Sequence, residues 1–179
     1  MNRLHPISAI VVNESGVLAR VAGMFARRGF NIDSLAVGMT EDPRYSRMTI
    51  VVHGDDRVLE QVVKQLGRMI DVIRINDLSQ EPHVERELAL IKVSAPARSR
   101  GEIVELANIF RAKIVDVGRK QLMIEASGAG DKVEAIIDML RPYGIVELAR
   151  TGRIILARGV TTPRDGARAA HTVALEPTS

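Results

Sequence analysis

The sequence predicts an α+β chain made of two consecutive βαββαβ domains. Three observations carry that prediction. Short apolar runs rich in β-branched residues alternate with stretches of helical periodicity. The same order of elements recurs past residue 83. One helix in each half carries apolar residues at i, i+3, i+4 and i+7, the stripe of a helix lying on a sheet.

Ile7 to Val12 is the first strand, and the turn Asn13-Glu14-Ser15-Gly16 follows it directly. Leu18, Val21, Ala22 and Phe25 form the stripe of the first helix, which Arg27, Arg28 and the C-cap Gly29 close. Phe30 to Gly38 and Arg47 to Gly54 read as strands around the turn Thr40-Glu41-Asp42-Pro43. Asp55 or Asp56 caps a second helix with Val58, Leu59, Val62, Val63 and Leu66 inward, and Val72 to Leu78 is the fourth strand.

The second half repeats the plan. Leu88 to Val93 is a strand, and Ser99 with Glu102 is expected to form a capping box. Ile103, Leu106, Ala107 and Phe110 repeat the stripe, and Ile114 to Val117 and Leu122 to Ala126 are strands around a turn near Gly118. Asp131 is expected to cap a helix with Val133, Ile136, Ile137 and Leu140 inward. Ile145 to Leu148 and Ile154 to Leu156 supply a closing strand or hairpin. Phe25-Ala26-Arg27 against Phe110-Arg111-Ala112, and Asp56-Arg57-Val58 against Asp131-Lys132-Val133, suggest a diverged internal duplication. The expected organisation is two ferredoxin-like domains, at 3–79 and 84–159, joined by a linker at 80–83. A loose tail is expected at 160–179, where the pattern stops.

Composition narrows the function. The 179 residues include no Cys, which excludes disulfides, thiolate metal sites and a cysteine nucleophile. Aromatics make up only 3%, too few for a base-stacking platform. Twenty of the 25 basic residues are Arg, scattered along the chain, and the net charge is only +3, so nucleic acid is not an expected partner. No apolar run reaches the ~18 residues of a membrane span, and no signal peptide is evident, so a cytoplasmic protein is expected. The four His are isolated, no metal-ligand spacing occurs, and no Gly-x-Ser-x-Gly elbow is present. No catalytic or metal residues are therefore assigned.

The first strand–helix turn is the one candidate site. Amides at a helix start lack intrahelical partners and favour an anion, and Gly16 lets a carboxylate approach the backbone. The Asn13 side chain can donate and accept, as a zwitterion requires. The plainer reading is that Asn13 and Ser15 only cap the helix.

The segment from His5 to Leu35, which contains Asn-Glu-Ser-Gly-Val-Leu-Ala-Arg-Val and Arg-Gly-Phe-Asn-Ile-Asp-Ser-Leu, resembles the ACT domain of the acetolactate (acetohydroxyacid) synthase small subunit. Thr40-Glu-Asp-Pro, Ser46-Arg-Met-Thr-Ile-Val, Glu60-Gln-Val-Val-Lys-Gln-Leu, the run from His83 to Val93 and Ile109-Phe-Arg-Ala-Lys-Ile-Val-Asp-Val fit the same family, in order from about residue 3 to 159. The resemblance implies a non-catalytic regulatory subunit that activates a large catalytic subunit and confers feedback inhibition by valine or another branched-chain amino acid. It places thiamine diphosphate, magnesium and FAD on that catalytic subunit, with no cofactor on this chain. It also implies a homodimer whose effector site joins Asn13, Gly16, Val17 and Leu18 of one protomer to Asn31 and Ile32 of the other. The Thr40 to Arg47 turn is the expected surface toward the catalytic subunit. The alternative is a free-standing ACT-domain sensor that regulates another enzyme or transcription, for which no DNA-reading module is evident.

Overall fold

In the computed structural model, residues 3–159 are described. They fall into two compact units, one taking in the described residues up to Val84 and from Ile155 on, the other Glu85–Ile154. The expected tail at 160–179 lies outside the described residues.

The first unit runs β1 (Arg3–Val12), α1 (Val17–Arg28), β2 (Ile32–Met39), β3 (Tyr45–Gly54), α2 (Asp56–Leu66) and β4 (Val72–Asp77). Its sheet is antiparallel, in the order β2-β3-β1-β4, so β2 and β4 are edges. Alternation sends Ile7, Ala9 and Val11 of β1 and Met48, Ile50 and Val52 of β3 to one face, where all six are buried. The helices close this core with Val17, Val21, Met24, Phe25, Leu59, Val62 and Leu66. The buried stripe of α1 is thus Val17, Val21, Met24 and Phe25, whereas Leu18 is 47% exposed and Ala22 is exposed. The stripe is rotated from the expected one because apolarity alone does not set which residue of the first turn faces the core. A β-branched residue at the first helical position, just past a left-handed Gly16, points into the core instead.

The chain then repeats the order with β5 (His83–Ser94), α3 (Ala97–Ile109), β6 (Lys113–Val117), β7 (Gln121–Gly128), α4 (Gly130–Leu140), a short 3-10 turn at Arg141–Tyr143 and β8 (Ile145–Arg150), after which comes β9 (Ile154–Ala157), most of which falls with the first unit. The second unit's strand order, β6-β7-β5-β8, matches the first unit's. The last segment makes no hairpin with β8, because β9 pairs with β5. Val133, Ile136, Ile137 and Leu140 are buried as expected.

Helix ends separate expectation from outcome. Asp55 caps α2, accepting the Val58 amide at 2.9 Å. Ser99 is not a cap: α3 starts after Pro96, Ser99 lies inside the helix, and Glu102 accepts the Tyr143 hydroxyl at 3.0 Å. Asp131 is not the cap of α4 either, since the Gly130 amide at the helix start donates to Glu85 of β5 at 2.7 Å. A cap delivered from a strand 45 residues away has no local sequence signature.

The duplication is real in architecture but shifted from the sequence matches. Phe30 N–H donates to Phe25 O over Gly29, and Ala112 N–H to Ala107 O over Arg111, whose φ of 52° makes it the counterpart of Gly29. Phe25 therefore corresponds to Ala107, not Phe110. Likewise Leu59, Val62 and Leu66 correspond to Val133, Ile136 and Leu140, one residue off the sequence match.

Asp55→Ala should lower unfolding stability in urea by about 1 kcal/mol, the usual worth of an N-cap. Ser99→Ala should stay within ~0.5 kcal/mol of the parent.

Candidate effector site

The turn between β1 and α1 is fixed from two sides. Val12 N–H donates to Asp71 O at 2.9 Å, and Asn13 N–H to Arg44 O at 2.7 Å. Gly16 then takes φ +84°, a left-handed conformation that favours glycine, and starts the helix.

No side chain caps α1, so the plainer reading of Asn13 and Ser15 as caps does not hold. Asn13 instead reaches away from the helix. Its Nδ2 donates to Pro43 O at 2.9 Å, and its Oδ1 accepts from the Ser46 hydroxyl at 3.1 Å. Those two partners fix which end of the amide is which, and each end keeps one further bonding position. At the helix start, Val17 N–H makes a long 3.4 Å contact to Glu14 O. The amides of Gly16, Leu18 and Ala19 have no acceptor among the described residues. Amides in the first turn, a glycine without a Cβ and a fixed carboxamide make an anion seat with a donor and an acceptor beside it. Ala19 is not among the residues expected from the sequence, although its place in the first helical turn signals a spare N–H.

The other predicted residues sort differently. The Val17 side chain is buried, so only its amide faces the turn. Leu18 is half-exposed and free to meet a ligand. Asn31 is exposed and Ile32 packs partly against its own core. Both lie at the far end of the sheet, because Ile32 stands opposite Val52 while Val12 stands opposite Tyr45. At about 3.4 Å per residue, that separates them by roughly 20 Å along the strands. Within one chain the fold does not bring them to the turn.

Two supports of the turn were not legible in the sequence. Arg20 forms a two-point ion pair with Asp71, at 2.7 and 2.8 Å, fastening the first helical turn to the start of β4. The Arg20 guanidinium holds the Asp71 carboxyl below its ordinary range. The Thr40–Arg44 turn is itself braced, with Thr40 and Asp42 exchanging hydrogen bonds and Asp42 gripping Arg44. Arg44 also lies over the Tyr45 ring at 5.6 Å. Among the described residues no three His, Asp or Glu side chains gather as a metal site, and no helix is long and apolar enough to cross a membrane.

Comparison with known proteins follows this architecture. The family described as "AHAS small subunit-like ACT domain" matches residues 7–74, and "Small subunit of acetolactate synthase" matches residues 86–159. A probable acetolactate synthase small subunit of Archaeoglobus fulgidus is 60% identical over 155 residues, covering 87% of this chain and 97% of that protein. The acetolactate synthase small subunit of Mycolicibacterium smegmatis is 53% identical over 155 residues, covering 87% and 91%. The crystal structure of the Thermotoga maritima acetolactate synthase small subunit superimposes with a TM-score of 0.79 at 44% identity, covering 89% of this chain and 99% of that one.

The Arg20–Asp71 pair makes the turn acid-sensitive. Because the native Asp71 pKa is depressed, its contribution is complete above the unfolded value of about 3.9 and is lost as pH falls through the lower native value. Denaturant unfolding of Asp71→Asn between pH 5 and 2 should show a shallower acid-side loss than the parent; equal slopes would contradict this.

Proposed function

The chain belongs to the family of acetolactate synthase small subunits, and we propose that it is the non-catalytic regulatory subunit of that enzyme. In this reading it activates the large catalytic subunit in the cytoplasm and confers feedback inhibition by valine or another branched-chain amino acid. Thiamine diphosphate, magnesium and FAD reside on the catalytic subunit. Residues 3–79 serve effector binding and dimerisation, and 84–159 form the second domain.

The observation that carries this reading is the uncapped first turn of α1 beside the fixed Asn13 carboxamide. An α-amino acid presents a carboxylate for the amides of Gly16, Leu18 and Ala19. Its ammonium can be met by the spare acceptor position of Asn13.

A second protomer completes the site. Micromolar affinity requires about 8 kcal/mol from roughly eight heavy atoms, near 1 kcal/mol per atom, which demands almost full enclosure. A turn on one surface cannot provide that. Strand β2 is an edge strand of eight residues with Asp33 as its one charge, the kind of edge that natural proteins cover. Full-length antiparallel pairing of β2 with its copy sets the partner's Ile32 opposite Met39. Met39 is the strand neighbour of Ser46, which bonds Asn13. The partner's Asn31 and the partner's Ile32 then reach the turn that their own chain holds them away from. Effector bound in this seam favours one arrangement of the dimer, and with it one set of contacts to the catalytic subunit. The Thr40–Arg47 turn, joined to the seam through Asn13, is the surface that carries the change.

The test is reconstitution with an acetolactate synthase catalytic subunit. The expected result is activation on adding this chain and inhibition by valine. Gly16→Asp should abolish the valine response, because its carboxylate would occupy the anion seat and its Cβ would crowd Arg20 Nη1 at 3.0 Å. Absence of both activation and a valine response with the unmodified chain would overturn the proposal.

A further inference from the structure

The apolar enclosure of the effector is only partly supplied by the residues considered so far. Of the two apolar side chains, Leu18 is open to a ligand, but Ile32 is already packed against its own core. A branched aliphatic side chain needs more apolar wall than Leu18 alone provides.

The end of β2 supplies it. Val37 stands opposite Met48, which stands opposite Ala9; Met39 stands opposite Ser46, which stands opposite Val11. Ala9, Val11, Ser46 and Met48 are buried on the helix-bearing face, so strand alternation puts Val37 and Met39 on that same face. Both are nevertheless open, Val37 at 45% and Met39 at 71%, because the helices do not extend over this corner of the edge strand. This is the corner at which Ser46 holds Asn13. Asp42 and Arg44 beside it pair with each other, and the exposed Val37 and Met39 make the corner an apolar shelf next to an anion seat.

We propose that Val37 and Met39 are specificity-determining residues of the effector site, forming with Leu18 the wall that receives the aliphatic side chain. The inference rests on the effector-site reading above. Met39 lies level with Ser46 beside the turn, two residues nearer to it than Val37, and so borders the aliphatic side chain where it leaves the seat. Its flexible thioether fits itself to whichever chain is present. Shortening it opens space that a longer side chain can fill and valine cannot.

The experiment is calorimetric titration of the full chain with valine, leucine and isoleucine, in the parent, Met39→Ala, Val37→Ala and a control, Met139→Ala, at a half-exposed methionine of the second unit. Met39→Ala should shift the ratio of Kd for leucine or isoleucine over valine by about three- to tenfold in favour of the longer ligand, the worth of one or two methylenes. Val37→Ala should shift the ratios in the same direction, and Met139→Ala should leave them unchanged. A purely structural role would weaken all three amino acids equally, so unchanged ratios with intact valine binding would overturn the inference alone. Failure of the parent chain to bind any of the three would overturn the effector-site reading and this inference together.

Discussion

The site depends on Asn13 holding two turns together. Its main chain bonds Arg44 O, its Nδ2 bonds Pro43 O, and its Oδ1 accepts the Ser46 hydroxyl. With the residue drawn toward β3, it cannot cap α1, and the helix start stays open. The same bonds orient the carboxamide in advance, as a set donor and acceptor rather than a rotor. Arg20 and Asp71 hold the opposite flank, and Gly16 in its left-handed conformation joins the two. The open helix start here follows from polar groups being used in one direction and spared in another.

The second unit shows the same frame with different chemistry at the helix start. Ala95 N–H donates to Lys120 O at 2.8 Å, the counterpart of the Asn13-to-Arg44 bond. Pro96 stands at the helix start in place of a glycine. Arg100 spreads its guanidinium over the carbonyls of Ala95, Gly118 and Arg119, so this turn satisfies its acceptors from within. A duplicated fold thus carries two helix starts without a side-chain cap, one beside the Asn13 carboxamide and one beside a guanidinium bonded to the carbonyls of its own turn. The Asn13 turn lies in the unit whose edge strand is long and nearly uncharged, whereas the edge strand β6 is five residues long and carries Lys113 and Asp116.

Much of this was legible from residue order, because local chemistry set it. Strand and helix periods located every strand and α-helix, though not the 3-10 turn at Arg141–Tyr143; Asp55 capped its helix, and the buried face of α4 was the expected one. The misses share a cause. The caps expected at Ser99 and Asp131 rested on short-range motifs, yet α4 takes its cap from Glu85, and the repeats proved shifted by one to three residues. Leu18 is apolar yet lies outside the core, because the first helical turn sets Val17 inward instead.

By itself, the sequence determined that two βαββαβ units form, that a glycine-bearing turn follows the first strand, and that no cysteine chemistry is possible. Those are properties of neighbours and of composition. Tertiary structure alone decided that Asn13 serves Ser46 and Pro43, that Asp71 holds Arg20, and that Asn31 and Ile32 sit a strand's length from the turn. The physical reason is separation along the chain: partners 30 to 51 residues apart meet only when strands pair in register. A one-residue slip in that register would send the side chains of a whole strand to the other face.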